Sequence, residues 1–266
     1  MLSRIVSALI LLPLAITLIW LGGVPFYLAL GGLLMIAARE FNKLVRQGNH
    51  PHQAPLIFSL ALVGVIVADV VYPASNLLRP GITLTLVVAL IWQLRHRQVE
   101  PTVDWALAVT GGLYVGLAGA HFILLRLLPD GERWLLLTLT GTWLADSGAY
   151  LIGSRMGRHK MTPTLSPKKS WEGLAGGVLF GMALNPIVSA WFGLPWLHGA
   201  ALGLSGAIIG TLGDLSISMI KRQVGAKDSG HLIPGHGGAL DRLDSMLFTV
   251  IVGYYYLGWI AHIGGN

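Results

Sequence analysis

The 266-residue chain is 54% hydrophobic and 11% charged, with mean hydropathy +0.67. Soluble domains carry about 25% charged residues, and a core of this length cannot bury so much apolar surface, so composition excludes an ordinary soluble domain and points to a membrane. The absence of cysteine excludes disulfides, Cys-ligated zinc and thiol nucleophiles, and the net charge of +6 reads as basic loops at a membrane face, with no nucleic-acid partner.

The first apolar run, 5–21, lacks an A-x-A cleavage site and is followed by many others, so it reads as a transmembrane helix and not as a signal peptide. Spanning takes roughly 17–25 apolar residues. About nine spans are expected, at 5–21, a short 24–38, 55–72, 80–94, 104–128, 134–153, 173–192, 198–220 and 246–263. The expected architecture is all-α and polytopic. Region 1–133 holds about five helices. Region 134–266 holds the rest, with two long polar loops, 154–172 and 221–245. With the N-terminus inside, fifteen Lys and Arg fall on the cytoplasmic side and three outside (Arg79, Arg126 and Arg133). That asymmetry supports N-in, C-out with an odd number of spans.

Glycines recur at small-xxx-small spacing: 112/116, 173/177/181, 199/203 and 206/210. They are expected to pack helices closely in lipid, not to bind nucleotides.

The acids are unevenly placed. Only six follow Arg133: Asp146, Glu172, Asp214, Asp228, Asp241 and Asp244. Asp146 and Asp214 fall inside expected spans, where a carboxylate costs on the order of 2.5–3.5 kcal/mol and needs a polar cavity or a partner. Asp69 lies near the outer end of its span and reads as structural. Helical spacing aligns Asp214 with Ser218 and then Lys221 or Arg222, Asp146 with Tyr150, and Asp241 with Asp244 if the chain is helical there. The "GHGG" run at 235–238 supplies a flexible turn with exposed backbone N–H groups, including those of Gly237 and Gly238.

These acids come with Lys168, Lys169, Lys221, Arg222, Lys227 and Arg242. Mixed acids and bases around glycines suit a metal–phosphate site, because Mg²⁺ takes one or two carboxylates plus substrate phosphates while Lys and Arg hold the other phosphate oxygens. No G-xxxx-GK[ST] sequence is present, which argues against a Walker-type ATPase. In "SPKKSWEG", residues 166–173, Ser170 is placed to cap the next helix, with Glu172 in its first turn. His236 suits a turn or phosphate hydrogen bond better than a catalytic acid, and His231 reads as a solvated loop residue. Trp171 fits a base-stacking role and an interface anchor about equally.

The stretch "SMIKRQVGAKDSGHLIPGHGGALDRLD", residues 218–244, resembles the signature of phosphatidate cytidylyltransferases, also called CDP-diacylglycerol synthases. "DSGAYLIGSRMG" from Asp146, "SPKKSWEG" from Ser166 and, more weakly, Glu40-Phe41 are similar to the same family. Ala239 replaces a usually larger aliphatic residue, and Lys169-Ser170 stands where Lys-Thr is common. The resemblance implies the reaction CTP + phosphatidic acid → CDP-diacylglycerol + pyrophosphate, in phospholipid biosynthesis. It also implies Mg²⁺, optionally a monovalent cation such as K⁺, a bacterial inner-membrane location, a homodimer and a polar cavity at the cytoplasmic interface. By matched position it makes Asp214 and Asp241 the principal metal ligands, with Asp146, Asp228 and Asp244 as supporting acids. Ser166, Lys168, Lys221, Arg222, Lys227 and Arg242 would hold phosphates, with Lys169, Ser218, His236, Gly237 and Gly238 as further substrate contacts. Rival readings are a CTP-using prenol kinase, which the long signature disfavours, and an ion-coupled transporter, which needs no basic glycine-rich loop.

Overall fold

The structure is a computed structural model that describes residues 2–47, 55–95, 100–230 and 237–264. Among these, nine α-helices follow in order: α1 (Leu2–Leu21), α2 (Gly23–Gln47), α3 (Leu56–Val71), α4 (Leu78–Arg95), α5 (Pro101–Leu127), α6 (Gly131–Met156), α7 (Trp171–Trp191), α8 (Trp196–Gln223) and α9 (Leu240–Tyr255), which continues as a π-helical turn to Ile260. Lipid offers no hydrogen bonds to the backbone, so apolar segments satisfy their N–H and C=O groups internally as helices.

Among the described residues, five helices are long and apolar enough to cross a membrane: α2, α5, α7, α8 and α9 with its π turn. Leu9–Leu21 of α1 and all of α3 are apolar but shorter. Apolar side chains stand outward, such as Leu94 at 81% exposed on α4 and Trp191 at 83% on α7. Exposed apolar faces of this extent mark a surface that meets lipid. The protein is an α-helical membrane protein.

Each expected span overlaps one helix, but two boundaries move. Helix α2 continues to Gln47 because its polar end keeps a buried face of Glu40, Phe41, Leu44 and Val45. Helix α9 starts at Leu240, well before the expected 246, so Asp241 and Asp244 are helical. The fold is all-α as expected; the polar stretch after α6 adds one short antiparallel hairpin that the sequence did not suggest, of β1 (Lys160–Thr162) and β2 (Ser166–Ser170), with Lys160 opposite Ser170 and Thr162 opposite Ser166.

Contacts divide the chain into two compact units, Met1–Ile123 with Ile220–Leu243, and Leu124–Met219 with Asp244–Asn266. In the first unit, a polar chain ties three helices. The Asn42 amide donates to Ser59 Oγ at 2.9 Å, and Ser59 donates to the Ala108 carbonyl at 2.6 Å, joining α2, α3 and α5. Gly112 of α5 lies so close to α3 that a Cβ there would stand 2.8 Å from the Ser59 carbonyl oxygen. Asp69 accepts from the Leu78 N–H at 2.9 Å and so joins the end of α3 to the start of α4, a structural role.

In the second unit, α6 packs along α7 through glycine. A Cβ on Gly177 would lie 3.0 Å from the Ala145 carbonyl, and one on Gly176 would meet Ile152. Gly181 of α7 and Gly203 of α8 meet backbone to backbone. Asn185, fully buried, donates to the Leu137 and Gly199 carbonyls and accepts from Thr140 at 3.0 Å, linking α6, α7 and α8. The small-residue spacings therefore sit at helix interfaces, where van der Waals contact and polar links replace the hydrophobic effect.

Gly203→Val is expected to destabilise the detergent-solubilised protein by about 1–3 kcal/mol, because the added carbons have no room. Gly32→Ala, on an open helix face where a Cβ meets nothing within 4 Å, should leave the melting temperature unchanged or raise it slightly. Thermal unfolding of the two variants checks the contrast.

Candidate active site

The charged segment after α8 is shaped by its glycines and by one carboxylate. Helix α8 ends in a Schellman motif: the Gly225 N–H bonds the Arg222 carbonyl and the Ala226 N–H bonds the Lys221 carbonyl, with Gly225 at φ +69°. Chain direction therefore reverses just after Lys221 and Arg222. The Arg222 guanidinium donates to the Ala226 carbonyl at 2.8 Å across this turn.

Asp241, in the first turn of α9, is the centre of the first unit's polar cluster. Lys221 Nζ donates to Asp241 Oδ1 at 2.8 Å, and the two side chains are only 9% and 7% exposed. Asp241 Oδ2 accepts the Ser229 N–H at 2.8 Å and the Gly238 N–H at 3.0 Å. Among the described residues, three donors meet this carboxylate, one at Oδ1 and two at Oδ2. Gly237, at φ +83°, lies so close that a Cβ would stand 2.8 Å from Asp241 Oδ2. This explains the glycine: the left-handed backbone and the carboxylate both exclude a side chain.

Glu40 of α2 belongs to the same cluster. It is buried at 7% exposure. Its Oε2 accepts from Ser229 Oγ at 3.1 Å and from the Leu240 N–H at 2.9 Å. Cβ atoms on Gly230 or Gly238 would collide with its carboxylate.

The second unit holds a second lysine–aspartate pair. Lys169 Nζ, on β2, lies 2.6 Å from Asp214 Oδ2 of α8, with side chains 24% and 31% exposed. Lys169 also reaches the Thr211 carbonyl at 3.4 Å, and Ser218 donates weakly to Asp214 Oδ1 at 3.4 Å, the one-turn stripe the spacing predicts. The hairpin that carries Lys169 is fixed at its end. Ser170 is the N-cap of α7 and accepts the Gly173 N–H at 3.1 Å. Glu172 pairs with His159 Nδ1 at 2.5 Å and accepts the Arg158 and His159 N–H groups, holding the exit of α6 to the start of α7.

The other expected residues are placed as follows. Lys168, Arg222, Lys227, Asp228 and Arg242 are exposed, and Ser166 is half-buried on β2. Asp146 is exposed on α6, one turn from Tyr150. Asp244 is buried, and its Oδ1 accepts from the Ser245 N–H and hydroxyl. His231 and His236 lie outside the described residues.

Among the described residues, no three His, Asp or Glu side chains gather into a ready-made metal cage. Mg²⁺ seldom uses such a cage and is commonly held by one or two carboxylates with water and phosphate oxygens. Asp214 and Asp241 are hard-oxygen donors of the kind that fit that use. Sequence reasoning missed Ser229 and gave Glu40 no role in the site. The only signal was the Glu40-Phe41 similarity, and its partners lie 189 and 200 residues away.

Residues 2–260 match the cytidylyltransferase family. The chain belongs to that family. It is 34% identical to a phosphatidate cytidylyltransferase of Synechocystis sp. over 99% of both chains. It is 33% identical to the phosphatidate cytidylyltransferase of Staphylococcus haemolyticus over 94% of both, and 38% identical to that of Bacillus subtilis over 54% of this chain and 55% of the relative. The long signature at 218–244 thus lies in a cytidylyltransferase, and the Lys221–Asp241 pair stands at its two ends.

Ser170→Ala removes the cap of α7 and should cost about 1 kcal/mol. Ser170→Thr, which keeps the hydroxyl, should lose less. Melting temperatures of the two variants in detergent test this.

Proposed function

We propose that the chain transfers the cytidylyl group of CTP to phosphatidic acid, making CDP-diacylglycerol and pyrophosphate for phospholipid synthesis. The observation that carries this reading is the family match over residues 2–260, joined by relatives of the same name along nearly the whole chain. A phosphate oxygen of phosphatidic acid attacks the α-phosphorus of CTP. The bond from that phosphorus to the β-phosphate oxygen breaks, and pyrophosphate leaves. The attacking phosphate is already anionic near pH 7, so no strong base is required of the protein.

The chain's task is to bring two anions together. Lys168, Lys221, Arg222, Lys227 and Arg242 supply positive charge to phosphate oxygens, and Ser166, Lys169, Ser218, Gly237, Gly238 and His236 supply hydrogen bonds. Asp214 and Asp241 are the residues that would hold Mg²⁺, with Asp146, Asp228 and Asp244 as supporting acids and K⁺ as an optional second cation. Bound Mg²⁺ would neutralise phosphate charge as it develops. Because Asp241 is held by a lysine and two amides, it presents a fixed oxygen and does not need to reorganise during the reaction.

The topology that suits this chemistry has nine spans, the N-terminus in the cytoplasm and the charged loops at the cytoplasmic interface of a bacterial inner membrane. CTP then arrives from the cytoplasm while the lipid's acyl chains stay in the bilayer. The basic residues concentrate on that side by the charge rule. A homodimer is part of the same reading, by family resemblance.

Purified protein in detergent with CTP, phosphatidic acid and Mg²⁺ is expected to form CDP-diacylglycerol and pyrophosphate. EDTA should abolish both products, and Asp241→Asn should lower turnover by about a hundredfold or more. A folded sample that makes neither product would refute the assignment. Because the chain has no cysteine, orientation is testable with single introduced thiols. A membrane-impermeant maleimide should label Asn76→Cys in intact cells but reach Thr164→Cys only after lysis, and the reverse pattern would refute the orientation.

A further inference from the structure

The start of α9 lacks a cap of its own. Its N-cap position is Ala239, fully buried, whose carbonyl accepts from Arg242 and Leu243 but whose methyl accepts nothing. Helix starts of this kind leave N–H groups that need an oxygen from elsewhere. Here the oxygen comes from another helix: Glu40 Oε2 accepts the Leu240 N–H at 2.9 Å. The same atom accepts from the Ser229 hydroxyl at 3.1 Å. One buried carboxylate oxygen therefore holds both flanks of the segment from Ser229 to Leu240. The backbone of that segment also bonds Asp241, through Ser229 N–H and Gly238 N–H.

Glu40 is itself fixed. Two residues on, the Asn42 amide donates to Ser59 and to the Ala38 carbonyl. Next to it, Phe41 lies against Gly111 of α5, where a Cβ would stand 2.5 Å from its ring. Gly230 and Gly238 lie where any side chain would strike the Glu40 carboxylate. A buried carboxylate that meets two donors and two glycines in the signature segment does more than fill space.

We propose that Glu40 is a positioning residue for the cytidylyl transfer: it clamps the two ends of the glycine-rich segment and so holds Asp241 in place against Lys221. The proposal rests on the functional reading above. Glu40 acts through hydrogen-bond acceptance by one oxygen, on Ser229 and Leu240, and so through the residues that bond and flank Asp241. A glutamine keeps an acceptor oxygen for both donors, whereas leucine keeps the bulk and loses the acceptor.

The test pairs hydrogen exchange of the 229–245 peptide with turnover, in the full-length protein in detergent. Glu40→Leu should speed exchange in that peptide by about tenfold or more and lower kcat by about ten- to hundredfold, with KM for CTP changed by less than about threefold. Glu40→Gln should restore both to within about threefold of the unsubstituted protein. Unchanged exchange in Glu40→Leu, or a Glu40→Gln variant as impaired as Glu40→Leu, would overturn the proposal. If the unsubstituted protein makes no CDP-diacylglycerol, the functional reading fails separately. The clamp is then decided by exchange alone, supported by protection lost with leucine and kept with glutamine, and refuted by any other pattern. Should Glu40→Leu not fold, Ser229→Ala removes one of the two donors: faster exchange in the segment supports the clamp and unchanged exchange refutes it.

Discussion

A carboxylate that is 7% exposed in a largely apolar protein must be met by donors, and at Asp241 it is met by Lys221 and two backbone amides. Much of the local structure follows from that requirement. Lys221 must stand at the end of a helix that stops soon after it, which the Gly225 turn provides. The chain must return close enough for two amides to reach one oxygen, which leaves no room for a side chain at Gly237, while the Glu40 carboxylate excludes one at Gly238. Removing one partner of such a pair costs about 3–5 kcal/mol, since the other charge is left buried alone. The buried charges Lys221 and Asp241 can persist in this apolar protein because they pair with each other.

The second unit reaches a related result by different means. Lys169 meets Asp214 on α8, but the pair is more open and the lysine comes from a short hairpin instead of a helix. That hairpin is held by the Ser170 cap and by Glu172, which bonds the backbone at the exit of α6.

Much of the fold was legible in the sequence. Hydropathy located the helices, because in lipid an apolar run has few alternatives to helix. The small-residue spacings marked real interfaces, with Gly181 against Gly203 the closest. The Ser170 cap was readable because capping is local. Three things were not readable. The end of α2 was missed because its last turns bury residues against other helices while remaining polar in composition. The hairpin at 160–170 was missed because five or fewer residues per strand, mostly charged or small, carry no alternation. The role of Glu40 was missed because its partners are 189 and 200 residues distant, and no local pattern encodes a contact of that range.

Whether Lys221 and Asp241 act as one unit is tested most directly by a double-mutant cycle on kcat/KM for CTP. If they are coupled, the Lys221→Met, Asp241→Asn double variant is about as impaired as the worse single variant. If the two losses instead multiply, each residue works independently and the account of a paired site is wrong.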